Sequence, residues 1–257
     1  MTDIPKSHPR YESLMLRKKL VDGFWCGAVA AEGLIAQGRG EAFDYILGEK
    51  TCDAARASIK AAAAALILAE KPVISVNGNA AALVADECIR LSRLLGCPVE
   101  VNLFYRNRKR EKIIEKILKD AGADSVLGIE DDASASIPGL EHPRGRVSPC
   151  GIYTADAVLV PLEDGDRTQA LRDMGKTVIT VDLNPFSRSA QTASITIADN
   201  ITRCYPKLCD EIKRLKAHER SVIEKIIKEF DNKKNLRDTF TFMKKRLDKA
   251  NAGDFDA

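Results

Sequence analysis

Two arginines stand where packing alone would not place them. Residues 9 to 22 read as a helix, on which Leu14, Leu16, Leu20, Val21 and Phe24 share one broad face at about 100° per residue. Arg17 falls inside that face, so its guanidinium must snorkel to water or meet an anion. A carboxylate of the same chain and a bound phosphate are both open as that anion. Arg39 lies in Gln37-Gly38-Arg39-Gly40-Glu41, read as a glycine-flanked turn before a helix. Such a turn lets backbone approach a ligand, and a guanidinium there can fork onto a phosphate.

Further candidates follow the strand-like segments. Val73 to Val76 runs into Asn77-Gly78-Asn79-Ala80, a strand–turn–helix start of the kind that holds phosphate in α/β proteins, although turn and cap chemistry explains the asparagines equally well. Residues 130 to 151 make a long loop carrying His142, Arg144 and Arg146, able to receive a phosphate or carboxylate, with a disordered connector as the alternative. In Glu163-Asp164-Gly165-Asp166-Arg167 the acidic residues can complement a helix dipole or bind a metal ion or an amine. Asp182-Leu183-Asn184 and Arg188-Ser189 follow a strand whose carboxyl end should face a ligand crevice, with Asp182 suited to a ribose hydroxyl and Arg188 and Ser189 to phosphate. Asn200, beside Ile201, ends the next strand and could read a base edge.

The elements that must position these residues alternate in type. Helices are expected over 9–22, 24–37, 42–47 and 53–70, the last from its alanine run. Strands are expected at 73–76, 99–103, 125–129, 157–161, 177–182 and 194–197, with helices at 80–95, 108–121 and 167–174 between them. Helices fill the remainder to about residue 250. This predicts a Rossmann-like, mostly parallel sheet with helices on both faces and helical additions at each end. One α/β domain over 1–257 is expected, with a helical segment 1–70, a core 71–201 and C-terminal helices 202–257.

Composition narrows the function classes. Of 257 residues, 45% are hydrophobic and 30% charged, enough for a real core. The 40 basic and 37 acidic residues leave a formal charge of +3 and no one-sided basic footprint, so a nucleic-acid partner is not expected. The dense run Arg106 to Lys112 reads as a solvated face. No apolar run is long enough to span a membrane, and the first residues lack a secretory segment, so a cytoplasmic location is expected. The seven cysteines include no C-x-x-C pair, which argues against a disulfide framework or zinc site. Neither G-x-G-x-x-G nor G-x-x-x-x-G-K-[ST] occurs.

Taken together, IPKSHPRYESL, GLIAQGRGEAFDYILGE, PVISVNGNAAALV, EVNLFYR, IPGLEHPRG, ADAVLVPLEDGDRTQAL and TVITVDLNPFSRSAQTASITIADNI resemble the archaeal phosphopantothenate synthetases, the 4-phosphopantoate–β-alanine ligases. These stretches run from residue 4 to residue 201. Gln37 departs from the histidine of the family motif, so no acid–base role is assigned there. The resemblance implies a homodimeric enzyme of coenzyme A biosynthesis that condenses 4-phosphopantoate with β-alanine while converting ATP to AMP and diphosphate, with Mg²⁺. It implies ATP contacts at Arg17, Arg39, Asp182, Leu183, Asn184, Arg188, Ser189, Asn200 and Ile201. Asn77, His142 and Arg144 are expected to hold phosphopantoate. A nicotinamide-dependent oxidoreductase and a non-catalytic nucleotide-binding protein are the rival readings.

Overall fold

The computed structural model describes residues 4–161 and 164–253. In chain order the elements are α1 (Tyr11–Trp25), α2 (Ala31–Leu47), α3 (Asp53–Leu68), β1 (Pro72–Val76), α4 (Gly78–Leu95), β2 (Val99–Val101) and α5 (Arg108–Asp120). There follow β3 (Ala135–Ser136), β4 (Arg146–Val147), β5 (Ala157–Pro161), α6 (Gly165–Asp173), β6 (Thr177–Val181), α7 (Arg188–Thr192) and β7 (Ile195–Ile197). The chain ends in α8 (Ile201–Leu215), α9 (Arg220–Glu229) and α10 (Asn232–Asn251).

Five strands form one parallel sheet in the order β2-β1-β5-β6-β7. Period-two alternation gives it two apolar faces. Ile74, Val76, Val99, Val101, Leu159, Ile179, Val181, Ile195 and Ile197 join a core with residues of α3, α4, α5 and α8. Val73, Val158, Val160 and Val178 face the other way, against Leu171 of α6 and Ile137, Val147 and Ile152 of the long loop. That loop is therefore a cover for the sheet rather than a disordered connector. It carries the antiparallel pair β3–β4 and a 3₁₀ turn at Pro143–Gly145.

In α3, Ala61 to Ala65 are all buried. Side chains this short let α3 lie close to α8, α9 and α10 together. The C-terminal helices thus pack on the body of the chain.

Several boundaries differ from expectation, each for a local reason. The N-terminal region has two helices rather than three: the break falls at 26–30, where Gly27 adopts φ 90°, while Gly23 and Gly40 are packing positions inside helices. A Cβ on Gly23 would lie 2.8 Å from Cβ of Ala82, and one on Gly40 would lie 3.4 Å from Cδ1 of Leu183. Gly38, Arg39 and Gly40 accordingly sit inside α2, not in a turn, and α2 ends at Gly48 in the left-handed conformation (φ 78°). The expected strand 125–129 is reduced to one bridge between Leu127 and Glu100, since Gly128 adopts φ 76°. The helix expected at 167–174 begins at Gly165, and α7 lies in a segment read as loop. The basic run 106–112 is only partly solvated: the side chain of Arg106 is 6% exposed, and Arg110 is half-buried.

Candidate active site

The strand order reverses direction between β1 and β5. In open α/β sheets, ligands bind outside the carboxyl ends of the strands at such a switch point. Asn77 sits there. Its Oδ1 accepts the N–H of Ala80 (2.9 Å), capping α4, and its Nδ2 donates to the carbonyl of Pro161 (2.9 Å) at the end of β5. One side chain therefore starts the helix and ties together the strands that flank the crevice.

The crevice measures about 280 Å³, and its lining includes Glu32, Arg39, Asn77, Asn79, Arg110, Arg144 and Asp164. Arg39 reaches it from one face of α2, which also supplies Glu32, Gly33 and Ala36. Asn79 fastens α2 by donating to the carbonyl of Gly33 (2.9 Å), and Arg110 fastens the α1–α2 connection by donating to the carbonyl of Ala28 (3.0 Å). Backbone approaches so closely that a Cβ on Gly78 would stand 2.1 Å from the oxygen of Ala28. Three guanidinium groups thus surround a helix N-terminus, where free N–H groups and the dipole favour an anion.

Arg144 and Phe104 line the crevice, while His142 lines a separate cleft and touches the crevice only through Phe104. The imidazole of His142 lies over the Phe104 ring at 4.0 Å between centroids, and the guanidinium carbon of Arg144 is 5.9 Å from that ring. His142 Nδ1 accepts the N–H of Arg144 (3.2 Å), and Arg144 Nη1 pairs with Asp164 (2.8 Å). Asp164 also caps α6 by accepting the N–H of Arg167 (2.8 Å), so the capping reading of this acidic segment holds for Asp164. Glu163 lies outside the described residues.

The remaining predicted residues form two neighbouring groups. Asp182 accepts from the Ser187 hydroxyl and the N–H of Asn184, and burial raises its carboxyl while those bonds and nearby Arg39 pull it down. Asn184 Oδ1 accepts the N–H of Phe186 (3.0 Å), Leu183 is buried with Leu47 and Met243, and Ser189 is buried in α7. Arg188 is exposed and pairs with Asp166 at 2.6 Å.

Asn200 belongs to a second cleft of about 520 Å³, lined by Arg10, Glu41, Asp44, Tyr45 and Arg203 among others, and Arg17 is tied to that lining through Glu41 and Tyr45 without lining it itself. Arg17 faces α2: it pairs with Glu41 (3.0 Å) and donates to the hydroxyl of Tyr45 (3.0 Å), and Glu41 above all makes the guanidinium hold its proton more tightly than usual. The shared apolar face inferred for α1 is narrower than expected, with Leu20 buried, Leu16 and Phe24 half-buried and Val21 43% exposed. Asn200 caps α8 and donates to Asp44 (3.1 Å), while Ile201 enters the core.

Sequence reasoning missed the groups that hold this second cleft together. Arg203 bridges Asp44 (2.5 Å) and Asp199 (2.7 Å), and Thr51 donates to Asp199 (2.6 Å). It also missed Arg110, whose run of like-charged neighbours reads as solvated although Arg106 and Glu111 of the same run are inward too. Five of the cysteines are buried, and burial raises the thiols of Cys52, Cys97, Cys204 and Cys209, which makes them inert side chains. Cys26 joins Cys150 as exposed.

A doubly wound sheet with an arginine-rich crevice at its switch point defines an α/β enzyme of anionic ligands. The phosphopantothenate/pantothenate synthetase family matches residues 54–246, and the chain belongs to that family. A protein of Thermococcus onnurineus named 4-phosphopantoate–beta-alanine ligase is 52% identical over 254 residues, covering 98% of this chain and 97% of its own. Proteins of the same name from Thermococcus kodakarensis (52% over 248 residues, 96% of this chain, 94% of its own) and Methanosarcina mazei (49% over 247 residues, 96% of each) are also similar.

Proposed function

We propose that this chain is an ATP-dependent ligase that joins 4-phosphopantoate to β-alanine, giving 4′-phosphopantothenate, AMP and diphosphate in coenzyme A biosynthesis. The observation that carries the reading is the crevice at the switch point, where Arg39, Arg110 and Arg144 surround the start of α4, in a chain of this family. The rival oxidoreductase lacks the glycine fingerprint between β1 and α4.

A free carboxylate must be activated before an amine displaces its oxygen. In the reaction proposed, the phosphopantoate carboxylate attacks the α-phosphorus of ATP and diphosphate leaves. The β-alanine amine then attacks the acyl carbon, the bond to AMP breaks, and one proton is released. Charge gathers on phosphate oxygens in the first step, so the residues needed are positioned cations and N–H donors rather than a nucleophile. Asn77, His142 and Arg144 are assigned to the phosphopantoate.

Arg39, Asp182, Leu183, Asn184, Arg188, Ser189, Asn200 and Ile201 are assigned to ATP. Arg17 joins them if its pair with Glu41 opens to a phosphate. Among the described residues no three His, Cys, Asp or Glu side chains group to hold a metal. Mg²⁺ is assigned to the nucleotide phosphates, where it would neutralise charge. We further propose a homodimer working in the cytoplasm without nucleic acid or membrane; among the described residues no helix is long and apolar enough to cross a membrane.

The test is AMP production from ATP and Mg²⁺ with each substrate present or omitted. AMP that depends on both substrates is expected. ATP binding without such turnover would mean a non-catalytic nucleotide protein, and binding of NAD in place of ATP would restore the oxidoreductase.

A further inference from the structure

We propose that Glu100 and Asn102 form a latch that sets the loop bearing His142 and Arg144, so that Glu100 is a positioning residue for the phosphorylated substrate. The inference rests on the assignment of His142 and Arg144 made above. Alternation along β2 sends Val99 and Val101 into the main core and Glu100 to the opposite face. On that face Val73, Val158, Val160 and Val178 of the same sheet are apolar. A carboxylate there is fully buried, at 0% exposure, and packing gives no reason for it.

Its bonds give the reason. Oε1 accepts the N–H of Ser148 (2.9 Å) and Oε2 accepts the N–H of Ile152 (2.6 Å). Asn102, also fully buried, donates through Nδ2 to the carbonyls of Arg144 (3.1 Å) and Arg146 (3.2 Å). Arg106 adds a bond from Nη2 to the carbonyl of Arg146 (3.1 Å). The side chains of one short segment therefore grip the loop backbone at 144, 146, 148 and 152. A Cβ on Gly151 would stand 2.0 Å from Oε2 of Glu100, so the loop is shaped to admit the carboxylate.

The charged groups facing Glu100 are Arg167 from α6, Arg106 after β2 and Asp132 from the turn before β3. Burial pushes its carboxyl up to about 7 against the pull of the two N–H bonds and Arg167. The ionised carboxylate offers both oxygens to the two N–H groups, so the proton on Glu100 and the seating of the loop are linked.

The decisive variant is Glu100→Gln in the full chain. Its amide keeps the size but sets an NH₂ against one N–H donor, leaving one bond. The KM for 4-phosphopantoate should rise about tenfold while that for ATP stays within about twofold, and amide exchange at 144–152 should quicken against an unchanged β5. The substrate phosphate titrates near pH 6 in both proteins, so the comparison isolates Glu100: the dependence of KM on pH around 7 should differ between the native chain and the variant.

Inorganic phosphate binding by calorimetry should weaken in parallel, a readout independent of turnover. A folded variant with KM, pH profile and phosphate affinity all unchanged overturns the latch, even if its melting temperature falls. Should Glu100→Gln not fold, Asn102→Leu must show the same selective loss, and its absence overturns the proposal equally. A native chain that makes no AMP would defeat the ligase reading, while phosphate binding and exchange would still judge the latch.

Discussion

Replacing Asn77 with alanine removes two interactions of known kind from the switch point. The first is the cap on α4, where exchanging asparagine for alanine costs about 1 kcal/mol. The second is the bond to the Pro161 carbonyl, a buried acceptor whose loss adds about 1–3 kcal/mol. The sum, about 2–4 kcal/mol, should lower the melting temperature by roughly 5–10 °C for a chain of this size. Asn77→Asp separates the two terms, because aspartate caps a helix as well as asparagine does but cannot donate to Pro161. It should recover about 1 kcal/mol of stability, yet place a negative charge beside the start of α4 and weaken any anion bound there. Urea unfolding at fixed pH measures the first effect and the KM for phosphopantoate the second. An Asn77→Ala chain within about 0.5 kcal/mol of the parent would refute the idea that this side chain couples β1, β5 and α4.

Other substitutions probe separate parts of the argument. Gly78→Ala should cost about 3 kcal/mol in unfolding experiments, because the new Cβ meets the Ala28 oxygen, which is backbone and cannot swing aside. Arg17→Ala and Arg39→Ala should keep the fold, the first because its pair with Glu41 leaves the arginine side chain 41% exposed, and should raise the KM for ATP; unfolding with ATP affinity intact would make either arginine structural. Arg144→Ala should raise the KM for phosphopantoate more than that for ATP, and equal effects would sink its assignment.

Glu100 also predicts a pH effect on stability. Its folded value near 7 lies above the ordinary 4.5, so between those values the folded chain keeps a proton that the unfolded chain has lost. Stability from this group is therefore full at low pH and falls by roughly 3 kcal/mol as pH rises through the window. Glu100→Gln should flatten that slope in denaturation series run from pH 4.5 to 7.5; an unaltered slope would assign it to other groups.

By itself the sequence determined the layered α/β plan, since β-branched runs alternating with helical periods leave few other ways to bury both faces of a sheet. It also placed Asn77, Asp182 and Asn200 just after strands, and the structure keeps them there. Packing decided what local rules misread. Gly23 and Gly40 look like helix breaks along the chain, and only the nearness of Ala82 and Leu183 reveals them as contacts inside α1 and α2. Arg106 and Arg110 look solvated in their basic run until Glu111 and the Ala28 carbonyl are brought against them.

Arg17 and Arg39 show the division most clearly. Helical spacing marked Arg17 as needing an anion but could not say which, because that depends on where α2 carries Glu41 and Tyr45. The glycines around Arg39 suggest a turn, yet it stands on a helix face, where seven residues of regular geometry from Glu32 bring it to the crevice. Long-range contacts of this sort depend on how distant segments are brought together by the whole core, and no window of residues contains that information.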